Sequence, residues 1–408
     1  MINALRRDGI LQCGDDGWRW DANEIRRYIG HGTVLDLIFA RIGKLPPETC
    51  ALLETLACLG NSIEMSLLRA ATSLGADALV SMLREPLEEG LLTPMLGTDA
   101  RTTIGWRFRH DRVQQAAYSR LEPQQRGRAQ LTLARRLANH PEFCLQAAEQ
   151  YLLSADAVRD ADERRQVARL FQHAAATARK AVSYAAVGRW LTEAKALLEG
   201  DDRADELLAW EIDVDLHAAL YALGRLEDAD RLFRHIAARD ASPLELADAA
   251  CVQISSLCNR NRLEEALALG IQMLQRLGAH VDEAPKSAAV TGFRELPPHA
   301  DDVGRPEMTD PKAVASAKII NRLLPAALTM DSMDWMVRES RAMWIESGPC
   351  AELVGPLCHT GFVTVFHGDY RKGVRRRSPR PGSERGKGLF PSSRAGPVPV
   401  RLHRQSLV

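Results

Sequence analysis

The chain has 408 residues, room for two or three cores at roughly 100–200 residues per domain. Lys plus Arg and Asp plus Glu balance at 53 each, and aromatic residues make up only 5%, so Ala, Leu, Arg and Glu set an all-helical expectation. No apolar run reaches the ~18 residues of a membrane span, and Met1-Ile2-Asn3-Ala4-Leu5 opens into charged text without a signal peptide's apolar core, so a cytoplasmic chain is expected.

The overall neutrality conceals an asymmetry. From Arg371 onward there are eleven Lys and Arg against one acid, Glu384, which leaves 42 basic and 52 acidic residues in the first 370. The eight cysteines never form Cys-x-x-Cys. Several stand beside Leu and Ala at helical spacing, so buried reduced thiols are expected rather than disulfides or a metal site.

Residues 1–32 read as the end of a preceding module. Ile2, Leu5 and Ile10-Leu11 give a short apolar pattern, and Gly14-Asp15-Asp16-Gly17 is turn chemistry. Trp18 and Trp20 alternate with Arg19, as in a strand or extended edge, where they read as packing against the next domain, with an exposed partner surface as the alternative. Residues 33–122 read as a helix-turn-helix with a β-wing. Val34, Leu37, Ile38, Ile42 and Leu45 form one helical face, and Pro46-Pro47 stops that helix and starts the next. Leu52, Leu53, Leu56, Ala57 and Leu59 make the second stripe, ended by Gly60-Asn61. A third helix is expected over Met65–Leu74 and a fourth over Asp77–Glu89. Pro86 falls inside the fourth, where it should kink or end it. Thr93–Arg109 fits a hairpin wing with Gly97 and Gly105 at its bends. His110 or Asp111 then caps the next helix, with Gln114 three residues after Asp111 as a capping-box partner.

Residues 123–280 read as helical hairpins. Gly224-Arg225-Leu226-Glu227-Asp228-Ala229 is echoed by Asn261-Arg262-Leu263-Glu264-Glu265-Ala266, and Gly188-Arg189 precedes Ala194 in the same sense. The spacings of Arg189, Arg225 and Arg262 approach the 34 residues of a tetratricopeptide repeat, which this region resembles. Each hexamer is expected at the turn between paired helices, and such hairpins are stable only by stacking. Residues 281–310, with Pro285, Pro297-Pro298, Gly304 and Pro306, read as a linker, and further repeats follow over 311–373. Gly368-Asp369-Tyr370-Arg371-Lys372-Gly373 looks like another repeat turn, but residues 374–408 lose all periodicity. A frameshift would give such a break. A genuine disordered basic tail is the alternative, and Arg375-Arg376-Arg377 would then favour nucleic acid or an anionic membrane surface.

There is no Gly-x-x-x-x-Gly-Lys-Ser/Thr, His-Arg-Asp, Asp-Phe-Gly, His-Glu-x-x-His or Gly-x-Ser-x-Gly in the chain. Phosphoryl transfer needs groups that position phosphates and Mg²⁺, so no catalysis is expected of this chain. A DNA-reading role is disfavoured by charge: the fourth helix carries Asp77, Glu85, Glu88 and Glu89 against Arg84 alone. Trp335 and Trp344, among Met333, Met336 and Met343, read as core packing.

The run Phe108-Arg109-His110-Asp111-Arg112-Val113-Gln114-Gln115-Ala116-Ala117-Tyr118 resembles a signature of the large bacterial signalling ATPases of the STAND type. Trp18-Arg19-Trp20-Asp21, Val34-Leu35-Asp36-Leu37-Ile38, Leu45-Pro46-Pro47-Glu48-Thr49 and Ala57-Cys58-Leu59-Gly60-Asn61 stand in that family's order. The resemblance covers roughly residues 1–375 and implies a winged-helix domain followed by a tetratricopeptide-like solenoid. In the family these follow a nucleotide-binding module, and many members add a serine/threonine or histidine kinase. It implies a non-catalytic regulatory segment, truncated at both ends, that binds a protein partner through its repeats. The chain itself would hold no cofactor, and ATP or ADP with Mg²⁺ would belong to the intact parent. His110 and Asp111 match a Met-His-Asp stretch whose histidine contacts the nucleotide phosphate, with Arg109 standing where the Met would be. A free-standing repeat scaffold, with the basic tail on nucleic acid or membrane, is the competing expectation.

Overall fold

The computed structural model describes residues 6, 9–14, 17–22, 25, 34–98, 102–200, 206–279, 305–329 and 332–360. Most of the linker assigned to 281–310, the turn at 368–373 and the basic tail at 374–408 lie outside these residues. The described residues are predominantly helical and build a tetratricopeptide-like array of helical hairpins. The chain divides into two compact units, Met1–Ser256 and Leu257–Val408.

The first unit opens with a two-stranded hairpin, β1 (Leu11–Gly14) and β2 (Gly17–Trp20), in which Gly14 pairs with Gly17. Trp18 and Trp20 are 47% and 60% exposed. They are exposed, as in the alternative reading, rather than packed on the next domain, and the Arg6 guanidinium stacks on Trp18 at 5.1 Å from its centroid. Helices α1 (Val34–Ile42) and α2 (Pro47–Leu59) follow, with Pro47 in the first turn of α2, where its missing N–H costs no helical bond. Strand β3 (Ser62–Glu64) leads into α3 (Met65–Thr72).

The single helix expected over Asp77–Glu89 is broken into α4 (Ala76–Met82) and α5 (Arg84–Glu88). The break falls at Leu83, directly after Met82, whose carbonyl Pro86 cannot serve because it has no N–H. Strands β4 (Leu92–Leu96) and β5 (Thr103–Phe108) complete a three-stranded antiparallel sheet in the order β3-β5-β4. Gly97 begins the hairpin turn, its N–H bonded to the Thr102 carbonyl. Gly105, expected at a bend, lies instead within the central strand between Glu64 and Met95. A Cβ there would sit 2.3 Å from the Ile63 carbonyl oxygen, so the close approach of β3 requires glycine.

Helix α6 (Asp111–Ser119) then buries Val113, Ala116 and Ala117 in one continuous core with α1, α2 and the sheet. That core extends through Leu133 and Leu137 of α7 (Pro123–Leu137) to Ala147 of α8 (Cys144–Leu152). The first helical hairpin is thus part of the sheet domain's interior.

The remaining hairpins of this unit are α9 (Ala161–Lys180), α10 (Tyr184–Leu198), α11 (Glu206–Ala222) and α12 (Leu226–Ala237), followed by α13 (Pro243–Asn259), which runs across the boundary between the units. Three turns share one construction. A residue with positive φ (Val182, Gly224 or Asn261) ends a helix, and the next residue's N–H bonds a carbonyl five positions back. Those bonds are Ser183 to Ala178, Arg225 to Leu220, and Arg262 to Leu257, a left-handed helix cap that feeds straight into the following helix. The echoed hexamers encode this turn. Gly or Asn supplies the left-handed residue, and the arginine folds onto the acid three positions on (Arg225 to Asp228 at 2.8 Å, Arg262 to Glu265 at 2.6 Å). Ala229 and Ala266 are fully buried where helices meet. Gly188-Arg189 is not such a turn, for it lies inside α10, and the corresponding turn falls earlier at Val182-Ser183.

The second unit contains α14 (Leu263–Leu277), α15 (Pro311–Thr329), α16 (Met333–Ser347) and α17 (Ala351–Cys358). Gly270 of α14 lets Leu323 of α15 approach, since a Cβ would fall 2.5 Å from its Cδ1. Met333, Trp335 and Met336 are buried as expected, while Met343 and Trp344 pack against a small core of Met308, Ala317 and Leu353. None of the eight cysteines is in a disulfide: Cys50, Cys58, Cys144 and Cys251 are buried, and Cys13 and Cys358 are exposed.

Candidate functional site

The sheet delivers His110 to the start of α6. Phe108 N–H bonds the Asn61 carbonyl and Arg109 N–H bonds the Leu91 carbonyl, so the backbone is held on both sides immediately before the histidine. His110 is extended (φ −147°, ψ 148°) and occupies the N-cap, with Asp111 the first helical residue. Both side chains are exposed. Neither caps the helix through its side chain. The capping box expected from Gln114 does not form, because Gln114 Nε2 reaches 3.2 Å to the Ala57 carbonyl of α2. A carbonyl left open at the end of α2 is a better partner for a half-buried amide than the already solvated start of α6.

What remains at this corner is an exposed imidazole at a helix N-terminus, where the first N–H groups lack intrahelical partners. Exposed Arg109 and Arg112 flank it, Arg112 also donating to Gln115 Oε1 at 3.2 Å, and Asp111 supplies an opposing charge. Such a corner has the chemistry to meet an anion presented from outside the chain.

Behind the corner, the end of α2 is tied to the repeats. Gln150 of α8 donates to the Cys58 carbonyl at 2.9 Å, and Arg136 of α7 donates to the Ala71 carbonyl of α3 at 2.8 Å. Arg120 pairs with Glu54 at 3.0 Å. These side chains were not singled out in the sequence. Their signal was a polar residue on an otherwise apolar helical stripe, as for Gln150 beside Ala147 and Tyr151.

A second polar cluster missed in the sequence lies among α10, α11 and α12. Asp213, only 2% exposed, accepts from Lys195 Nζ at 2.6 Å and Arg239 Nη2 at 2.6 Å, and His235 stands 3.8 Å away. Among the described residues no group of three or more His, Cys, Asp or Glu is placed to hold a metal ion, and no helix is long and apolar enough to cross a membrane.

No protein-family model matches the chain, and no curated relative matches it. Among solved structures it is similar to a signal transduction ATPase with numerous domains (STAND) carrying a tetratricopeptide repeat sensor, from Pyrococcus horikoshii, at 12% identity and a TM-score of 0.40. The similarity covers 85% of this chain and 46% of the other.

Proposed function

We propose that this chain is a non-catalytic regulatory segment of a STAND-type signalling ATPase, in which a winged-helix domain passes nucleotide state to a partner-binding repeat array. The observation that carries this reading is the continuity between the His110 corner and the first hairpin. Helix α6, which begins at His110, packs on α1 and α2, and α2 is bound through the Ala57 and Cys58 carbonyls to α6 and α8. A pull on His110 from a phosphate would therefore act on a packed body rather than a loose loop. The sheet order β3-β5-β4, set against the helices α2, α3 and α4–α5, supports the winged-helix assignment. The exposed acidic residues Glu85 and Glu88 of α5 favour a protein-facing role over DNA, while Glu89 beside them is paired with Arg41 at 3.1 Å.

The nucleotide is held by a P-loop module that this sequence does not encode, with Mg²⁺, and the kinase output belongs to the same larger machine. Two experiments test the reading. The chain alone with Mg-ATP is expected to show no hydrolysis above buffer, and turnover would overturn the non-catalytic assignment. Joined to a P-loop module, His110→Ala is expected to weaken ADP retention about tenfold, the loss of roughly one charge-assisted contact. Unchanged retention would remove the phosphate role from His110.

The basic residues after Arg371 favour a second reading, a repeat scaffold that contacts nucleic acid or an anionic surface. Salt-dependent nucleic-acid binding that vanishes on removal of 374–408 would establish it, and absence of binding would dismiss it.

A further inference from the structure

His217 is fully buried on α11, wedged between α12 and α13. Its Nε2 lies 3.2 Å from Gln253 Oε1 on α13, and Gln253 Nε2 donates at 2.7 Å to Asp230 Oδ1 on α12. The Phe233 ring of α12 lies 5.5 Å from the imidazole, centroid to centroid. The chain of bonds fixes every proton. A carboxylate only accepts, so the Gln253 amide must turn its nitrogen to Asp230 and its oxygen to His217, and the histidine must donate from Nε2. The other ring nitrogen, Nδ1, is buried without a hydrogen-bond partner. The site thus accommodates the neutral imidazole and offers nothing to the second N–H of an imidazolium.

We propose that the α11–α12–α13 junction is a proton-sensitive joint, closed around neutral His217 and opened when this histidine takes up a proton. The charged groups around it do not rescue the cation. On α12 the facing carboxylate is Asp230, which already receives the Gln253 amide. On α13 the facing group is the uncharged Gln253. On α11 itself Asp213 lies one turn earlier, engaged with Lys195 of α10 and Arg239. Burial holds the His217 pKa below the ordinary 6.5, with the Gln253 bond and the Asp230 charge opposing it only in part.

The sign follows from linkage. Above pH 6.5 the histidine is neutral in both the closed and open states, and no stability depends on pH through it. Below 6.5 the open state takes up the proton more readily than the closed state, so the joint weakens as pH falls toward the lowered folded-state value. The element released is α13, the helix that carries the chain from the first unit into the second.

Hydrogen exchange of the full chain tests this directly, read on α11–α13 amides and corrected for intrinsic rates, with α2 amides as internal reference. Between pH 7.5 and 5.5 the protection of α11–α13 is expected to fall by more than twofold and at most about tenfold, the factor the open state gains by protonation one unit below 6.5. His217→Gln, which keeps a donor near Nε2 but cannot titrate, is expected to hold protection within twofold over the same range. His235→Gln should leave the wild-type fall in place. An equal fall in wild type and His217→Gln, or no fall in wild type, would overturn the proposal. Should His217→Gln not fold, histidine side-chain NMR of the wild type decides. A neutral ring with its proton on Nε2 is expected, and a ring protonated on Nδ1 alone or a His217 that titrates above 6.5 would overturn it.

Discussion

The sheet domain and the hairpins after it are held together by different means. In residues 34–122 the interior is built from large side chains drawn from far along the chain: Ile42, Leu53, Leu56, Ile63, Leu68, Leu79, Leu83, Leu91, Trp106 and Phe108 are essentially without solvent contact. In α9–α12 many of the fully buried positions are alanines, Ala168, Ala174, Ala175, Ala194 and Ala229 among them, and the space between helices also admits Asp213 and His217. A core of long-range apolar contacts needs no polar device to choose its arrangement. Stacked hairpins that meet through alanine surfaces have many similar ways to slide, and a buried carboxylate gripped by two cations favours one of them. The two regions should therefore fail differently when perturbed.

The largest effect is expected at Gly105→Val. The new Cβ would meet the Ile63 carbonyl at 2.3 Å and the Glu64 Cα at 2.9 Å, both of them backbone atoms that cannot rotate away. A loss of about 4 kcal/mol or more is expected, at the severe end of single substitutions, and denaturant melts of the chain would read it. Leu53→Ala, in the same core, should cost about 2–5 kcal/mol through lost burial and a residual cavity. In the hairpins, Asp213→Ala should cost less, about 1–3 kcal/mol, because Lys195 and Arg239 are a third exposed and can turn to water. High salt should narrow the Asp213 difference and leave the Leu53 difference intact. Equal salt sensitivity would dissolve the contrast between the regions.

The smallest effects sharpen the account of the turns. Gly224 has φ 73° and Val182 has φ 58° at equivalent positions. Gly224→Ala should therefore destabilise by about 1 kcal/mol, whereas Val182→Gly should stabilise by a similar amount, since a β-branched residue is strained in the left-handed region. Thermal melts of the pair should move in opposite directions.

These comparisons also show what the sequence exposed and what it withheld. Pro46-Pro47 and Pro86 marked a helix start and a helix break where the structure has them, because proline acts on its own backbone and on the carbonyl four residues back. Gly105 was misread, since a glycine in an alternating segment marks either a bend or a close approach, and only the position of β3 distinguishes the two. The repeat register was legible where Gly224 and Asn261 announced the left-handed residue, and it slipped at Arg189 because Val182 carries no such mark. His110 and Asp111 fell at the helix start as expected. Gln114 went elsewhere because its partner, Ala57, is 57 residues away in sequence. Asp213 and His217 stayed hidden within the apolar stripe of Leu208, Ile212, Leu216 and Leu220, where a local pattern gives no hint of Gln253 or Arg239.

The most direct test of the regulatory account is hydrogen exchange on the chain joined to a P-loop module, with and without ADP, read at α6 and α8. ADP is expected to slow exchange in both helices, and His110→Ala is expected to abolish that response while the module still binds nucleotide. Nucleotide binding with no change across residues 110–152, or a response indifferent to His110, would contradict it.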